Sequence, residues 1–332
     1  IVPEVFTPYV IEQSTRTDAF LASGVVQPMA ELNATEGGDF INVPFYKANL
    51  TGDFEVLSDS TSLTPGKITA DRQTGVILHR GRAFESRDLA ALAAGSDPMA
   101  AIGAKVADYV NHQRQKDLLS CLAGVFGSLG STSSSAAFFP LTIDGESGDT
   151  PTVLSPRHVA EAKSLLGDQG EKLTAMCVHS KVYYDLVERR AIDFIYDNTG
   201  AGDTAADSGS TANAFGQVSV PTFMGLRVIV SDDVQTAGSG STTEYATYFF
   251  TQGAVASGEQ LALRSEVDRD ILAKSDAMSI DLHYCYHPVG SRWTASDVNP
   301  NRSTLETVGN WSKVYETKNL GVVRVTNTSN MD

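Results

Sequence analysis

Cysteine is scarce. The 332 residues hold three, Cys121, Cys177 and Cys285, far apart and each among apolar neighbours. An odd, dispersed set gives no disulfide framework, and without a C-x-x-C pair it offers no zinc knuckle or dithiol redox couple. The three read as buried thiols of a protein kept reduced. No stretch approaches 18 consecutive apolar residues, so no membrane-spanning helix is expected. Basic residues are few, 25 Lys and Arg against 40 Asp and Glu for a net charge of −15, and they form no cluster. Nucleic-acid affinity rests on Lys and Arg neutralising phosphates, so a DNA- or RNA-reading role is not expected. Such an acidic surface could instead face nucleic acid without sticking to it. The opening IVPEVFTPYVIEQ carries Glu4 and Glu12 and no basic stretch, so it is not expected to be a signal peptide. With Ile1 in place of Met, residues upstream are expected.

Catalytic patterns are equally thin. There is no G-x-S-x-G, Walker lysine loop or kinase set, and no carboxylate spacing picks out a glycosidase pair. Gly200-Ala-Gly202-Asp-Thr-Ala205 fits a relaxed dinucleotide pattern. It neither follows a strand nor opens a helix, as that chemistry requires. The best metal candidate is His283, Cys285 and His287, which alternate and so share one face of a strand. A fourth ligand is missing and i, i+2 positions splay by about 7 Å, so the preferred reading is a half-buried strand with no metal. No catalytic residue, cofactor-binding residue or cofactor is assigned.

What is present is a large apolar content, 42% with 28 glycines besides. That suffices for a sizeable core, in two domains or in one with insertions. Residues 1–39 read as a polar arm with a short helix starting at Thr7-Pro8. Phe40 to Tyr46 and Lys67 to Glu85 read as strands, joined by the polar ANLTGDFEVLSDSTSLTPG into a long hairpin over 40–88. An isolated two-stranded ribbon is marginal in water, so this arm is expected to lie on another copy of the chain. Ser96-Asp97-Pro98 starts a helix running to Phe126, where Gly127 stops it. Its apolar stripe changes sides near Arg114. From Val218 the chain is strand-rich, and the polar tail 300–332 ends in a strand at Val322 to Val325. Two charge sets stand out: Asp53, Glu55 and Asp59 near the hairpin tip, and Arg80 and Arg82 sharing one face of its second leg, flanked by Arg72 and Arg87. They are candidate ionic contacts between subunits that set the register of assembly.

This order of arm, hairpin, long helix and mixed α/β lobe resembles the major capsid protein of tailed bacteriophages, with the Hong Kong 97-type α+β coat fold. The resemblance is carried by RGRAFESRDLAALAAGSDPMAAIGAKVADYVNHQRQKDLLSCLAGVFG (80–127), by IVPEVFTPYVIEQ and by GLRVIVSDDV (225–234). It implies an N-terminal arm over 1–39 and an extended loop over 40–88. It further implies a peripheral domain over 89–150 and 260–332 with a spine helix at about 97–126, and an axial domain over 151–259. The implied function is a non-enzymatic virion subunit that assembles in the host bacterial cytoplasm into an icosahedral head around double-stranded DNA. The implied partners are further copies in pentamers and hexamers, a separate scaffolding protein, a portal and a decoration protein, with DNA touched non-specifically and no membrane. An encapsulin-like compartment shell is the alternative, and a metal-dependent enzyme the remote one.

Overall fold

The structure is a computed structural model that describes residues 23–33, 38–47, 54–56, 63, 65–88, 98–127, 129, 142–144, 152–196, 219–240 and 243–331. In chain order the elements are β1 (Val26–Pro28), β2 (Phe40–Tyr46), β3 (Ala70–Val76), β4 (Leu78–Arg87) and the long helix α1 (Pro98–Phe126). Next come β5 (Thr142–Asp144), α2 (Pro156–Leu165), β6 (Leu173–Val178), α3 (Ser180–Glu188), β7 (Asp193–Tyr196), β8 (Ser219–Phe223) and β9 (Leu226–Val230). The rest are β10 (Thr236–Ala237), β11 (Glu244–Thr251), β12 (Val255–Asp270), β13 (Ser275–Pro288), β14 (Ser291–Trp293), α4 (Arg302–Leu305), β15 (Trp311–Lys313) and β16 (Val322–Asn327). The chain forms two compact units, residues 1–140 with 253–321 and residues 141–252 with 322–332.

In the first unit a sheet of order β1-β12-β13-β4 backs onto α1. The helix is continuous for 29 residues, so no break occurs at Gln113 to Lys116. Gly127 ends it at φ +84°, donating its N–H to the Ala123 carbonyl at 2.8 Å. The change of stripe has a physical counterpart. Val106 and Val110 are buried in the first half, whereas Leu118, Leu119, Cys121, Leu122, Val125 and Phe126 are all buried in the second. There α4 and the β14–β15 ribbon close over it. Gly124 makes this possible: a Cβ at that position would overlap the Leu305 carbonyl and the Trp311 indole. Trp311 Nε1 donates to that same carbonyl at 2.8 Å, and its ring stands edge-on to Trp293 at 5.1 Å.

One expectation is corrected here. The second leg of the hairpin is not one strand. β3 pairs with β2, from Phe40↔Val76 to Tyr46↔Ala70, but β4 leaves the ribbon and pairs with β13, from Tyr284↔Leu78 to Ser275↔Arg87. The chain switches sheets at Ile77, buried with Leu32, Ile41 and Ala256 in one cluster. Apolar burial at that corner outweighs continuation of the ladder. The segment read as an arm is tied in at its C-terminal end: β1 pairs parallel with β12, and Leu32 is fully buried. The short helix expected from Thr7-Pro8 lies outside the described residues.

The second unit is an eight-stranded sheet of order β5-β16-β11-β6-β9-β8-β7, with β10 on β11. α2 starts at Pro156 as Ser155-Pro156 predicts; the Ser155 N–H is capped by His158 Nδ1 at 3.0 Å. β16 sits between β5 and β11 with all six residues buried, so the polar-looking tail ends as an inner strand of this unit. The expected boundaries at 151 and 259 thus differ from the observed unit, which also takes in residues 322–332, while β12 from Val255 belongs to the first.

Candidate assembly surface

The hairpin β2–β3 is anchored at its base and bare towards its tip. At the base Ile41, Gln73 and Val76 are buried. The Gln73 amide oxygen accepts from the Gly290 N–H at 2.9 Å and from His287 Nε2 at 3.2 Å, and its NH₂ donates to the Tyr315 hydroxyl at 2.7 Å. Gly75 lies against the Cys285 sulfur and the His287 ring, so close that an added Cβ would stand 3.0 Å from that sulfur. Farther out, Asp71 pairs with Lys47 at 2.9 Å and Arg292 at 3.3 Å. The Lys47 hydrogen bond is the main reason its carboxyl is held below the usual range. Beyond that point the apolar side chains are largely uncovered among the described residues: Tyr46 is 80% exposed, Phe54 105%, Val56 92% and Ile68 63%. A solvated Phe and Val side by side would each gain roughly 1.5–3 kcal/mol if buried. Glu55 stands exposed between them; Asp53 and Asp59 lie outside the described residues.

A second bare tip was not foreseen. β12 and β13 form a ribbon whose turn presents Ile271 and Leu272, 79% and 97% exposed. Arg269 braces the ribbon beside it, bonded to Asp88 at 2.7 Å and Asp276 at 3.2 Å. The signal in the sequence was the apolar pair Ile271-Leu272 set between Asp268-Arg269-Asp270 and Lys274.

The arginine set divides. Arg72, Arg82 and Arg87 are exposed, but Arg72 stands on β3 and the other two on β4, in a different sheet. Arg80 is engaged within its own chain. Its Nε donates to Asp117 at 3.1 Å, Nη1 to Asn299 Oδ1 at 2.8 Å and Nη2 to the Pro300 carbonyl at 2.7 Å. Asp117, 1% exposed on α1, also accepts from Arg302 Nε at 2.5 Å and from the Tyr284 hydroxyl at 2.6 Å. A carboxylate buried that deeply needs such donors, and Arg80 is one of them.

His283, Cys285 and His287 do not converge on a point. The His283 ring stacks on that of His79 across β4–β13 with centroids 4.2 Å apart. Cys285 is buried, and burial pushes its thiol up to about 12. His287 is buried against Gln73. Among the described residues no group of three His, Cys, Asp or Glu is placed to hold a metal ion. The glycine pattern at 200–205 lies outside them. No described helix is long and apolar enough to cross a membrane.

Anchored ribbons that expose large apolar side chains at their tips are suited to meeting other chains. Residues 29–323 match the family model of the Gp13-like, or Major capsid protein 13-like, family. The chain belongs to this family of capsid proteins. It is also 34% identical over 334 residues to the major capsid protein of Bacillus phage SPP1, spanning 98% of this chain and 95% of that one. Solved phage capsid structures share its fold, two of them as follows. One is the Cyanophage Pam1 capsid asymmetric unit, with TM-score 0.57, 14% identity and coverage of 94% and 92% of the two chains. The other is the capsid of Ralstonia phage GP4, with TM-score 0.57, 10% identity and coverage of 93% and 88%. The fold is the Hong Kong 97-type α+β coat fold, and the protein is a shell subunit of a tailed phage and a component of the virion. The encapsulin and metalloenzyme alternatives give way, and the family is structural, not enzymatic.

Proposed function

We propose that copies of this chain close into an icosahedral head around double-stranded DNA, and that the β2–β3 hairpin is the arm by which each copy covers its neighbour. In this reading the first unit is the peripheral domain with α1 as spine, the second is the axial domain, and assembly takes place in the host cytoplasm with a scaffolding protein and a portal. The observation that carries it is the steep fall in burial along one hairpin, from Val76 at 1% exposed to Phe54 and Val56 fully in solvent. A protein exposes neighbouring large apolar groups on a ribbon when another surface covers them. The acidic tip residues Asp53, Glu55 and Asp59 supply register by meeting exposed arginines such as Arg72 and Arg87 on adjacent copies. With a net charge of −15, subunits repel at long range, so local apolar and ionic contacts must carry closure.

The test replaces residues 50–64 by a short Gly-Ser turn. The isolated subunit is expected to melt within about 2 °C of the parent, because the segment holds few bulky apolar residues and its described ones, Phe54, Val56 and Leu63, are exposed. Electron microscopy is expected to show no closed shells. If the variant unfolds, the tip belongs to an intramolecular core; if it still forms normal shells, the arm is not the contact that closes them.

A further inference from the structure

On the first unit, β4, β13 and α1 line a cleft of about 310 Å³ that is open to solvent. Alternation decides what faces it. From β4 come Arg80 and Arg82, from β13 Ile280, Leu282 and Tyr284, and from α1 Tyr109, Gln113, Arg114 and Asp117, with Arg302 closing one end. Asp281 and His283, the odd members of β13, point to the other side of the sheet.

Four guanidiniums therefore line one small space together with a single carboxylate. Asp117 is already saturated by Arg80, Arg302 and Tyr284. Arg114 has its own carboxylate, Glu259 at 2.9 Å, and donates to the Tyr286 hydroxyl at 3.0 Å. Four positive charges against these two negative ones leave two uncompensated. They centre on Arg82, exposed and unbonded among the described residues, and on Arg302, whose Nε and Nη2 are committed to Asp117 and Gln113. In a chain of net charge −15 this local excess runs against the overall field. Arg80, Arg114 and Arg302 are held by their bonds and cannot turn away from one another, while Arg82 reaches the same space from its exposed side.

We infer that this cleft binds a compact phosphate-type oxyanion, with Arg82 as its principal donor. A tetrahedral dianion matches both the residual charge and the planar, multi-donor geometry of guanidinium. A duplex is too wide to enter a space of this volume, so a nucleic acid could offer only an end or a single-strand phosphate. The site would tie β4 to the spine helix in each subunit, apart from any contact between subunits.

The experiment is a thermal melt of the full chain in 20 mM sodium phosphate against sodium chloride at equal ionic strength. Phosphate is expected to raise Tm by about 3 °C. Arg82→Gln should abolish the rise while melting like the parent in chloride, and Arg87→Gln, altered at an exposed arginine farther along β4, should keep it. A third arm replaces inorganic phosphate by a short oligothymidylate. An Arg82-dependent rise with inorganic phosphate alone assigns the site to the free ion, and the same rise with the oligonucleotide assigns it to nucleic-acid phosphate. Equal Tm in both salts, or a rise that survives in Arg82→Gln, overturns the assignment.

Discussion

Replacing Asp117 by Asn tests the idea that one buried carboxylate holds the first unit's α1, β4, β13 and C-terminal segment together. The substitution keeps shape and removes charge. Asp117 is 1% exposed and accepts from Arg80, Arg302 and Tyr284. An Asn there leaves two guanidiniums facing a neutral amide whose NH₂ cannot accept. Removing one partner of a fully buried ion pair costs about 3–5 kcal/mol. Arg80 and Arg302 keep 26% and 38% of their side-chain surface in water, so rehydration offsets part of that, and about 2–3 kcal/mol is the expected loss. For a unit of this size each kcal/mol moves Tm by about 2–4 °C, which puts the variant roughly 5–10 °C below the parent by circular dichroism. Glu85→Gln, exposed on β4, is the control and should stay within about 1 °C. The double variant Asp117→Asn/Arg302→Gln should melt little lower than Asp117→Asn alone, because both changes dismantle one network. An Asp117→Asn protein melting within 2 °C of the parent would falsify the argument.

Two further outcomes follow from packing and protonation. Gly124→Ala must force α4 away from α1, since the new methyl would overlap the Leu305 carbonyl; a loss of about 3 kcal/mol or more is expected. Gly309→Ala, with nothing within 4 Å of the new atom, should be nearly neutral, and similar urea midpoints for the two would sink the packing account. His287 is held down to about 4 by burial, against about 6.5 unfolded. The unfolded chain therefore binds the proton first, and stability is lost as pH falls from about 6.5 towards 4, by up to about 3 kcal/mol. His287→Gln should show a flatter stability curve across that window; parallel curves would mean another group carries the pH dependence.

The sequence exposed whatever depends on local chemistry. Pro98 and Gly127 bound α1 because a proline at the start and a left-handed glycine at the end act through their own backbone. The bare hairpin tip was legible for the same reason: few bulky groups lie between Gly52 and Ile68, so little could be buried there. Illegible features depend on distant partners. Nothing in DRQTGVILHRGR announces that Ile77 leaves one sheet for another, because the corner is fixed by Leu32, Ile41 and Ala256. Arg80 and Arg82 look equivalent by alternation, yet Asn299, Pro300 and Arg302 lie near one of them only through the fold of residues more than 200 positions away. The strand at Val322 to Val325 was legible from its valines, but not its place inside a sheet or its extension to Asn327: Thr326 and Asn327 are buried, and Asn327 Oδ1 accepts from the Thr247 hydroxyl at 2.8 Å.

The contrast between the root and the tip of the hairpin bears on how a shell subunit stays soluble before assembly. Its root carries a polar group in a buried place, Gln73 with three partners, and in the adjoining sheet Asp117 accepts from three donors beside β4. Networks of this kind add little net stability compared with apolar packing of the same volume, but they allow one geometry only, because any other leaves a charge or amide unpaired at a cost of about 1–3 kcal/mol per group. Its tip has the reverse composition, apolar groups in water with acidic neighbours. Those side chains give up burial in the free subunit, while the acids oppose chance association of like-charged copies. A fixed root determines where the tip points, and the charge delays its burial until a matching surface is in place. If that division holds, neutralising the tip with Asp53→Asn, Glu55→Gln and Asp59→Asn should raise non-specific aggregation at low salt, seen by light scattering, without lowering Tm. A lowered Tm would place those acids in the subunit's own fold.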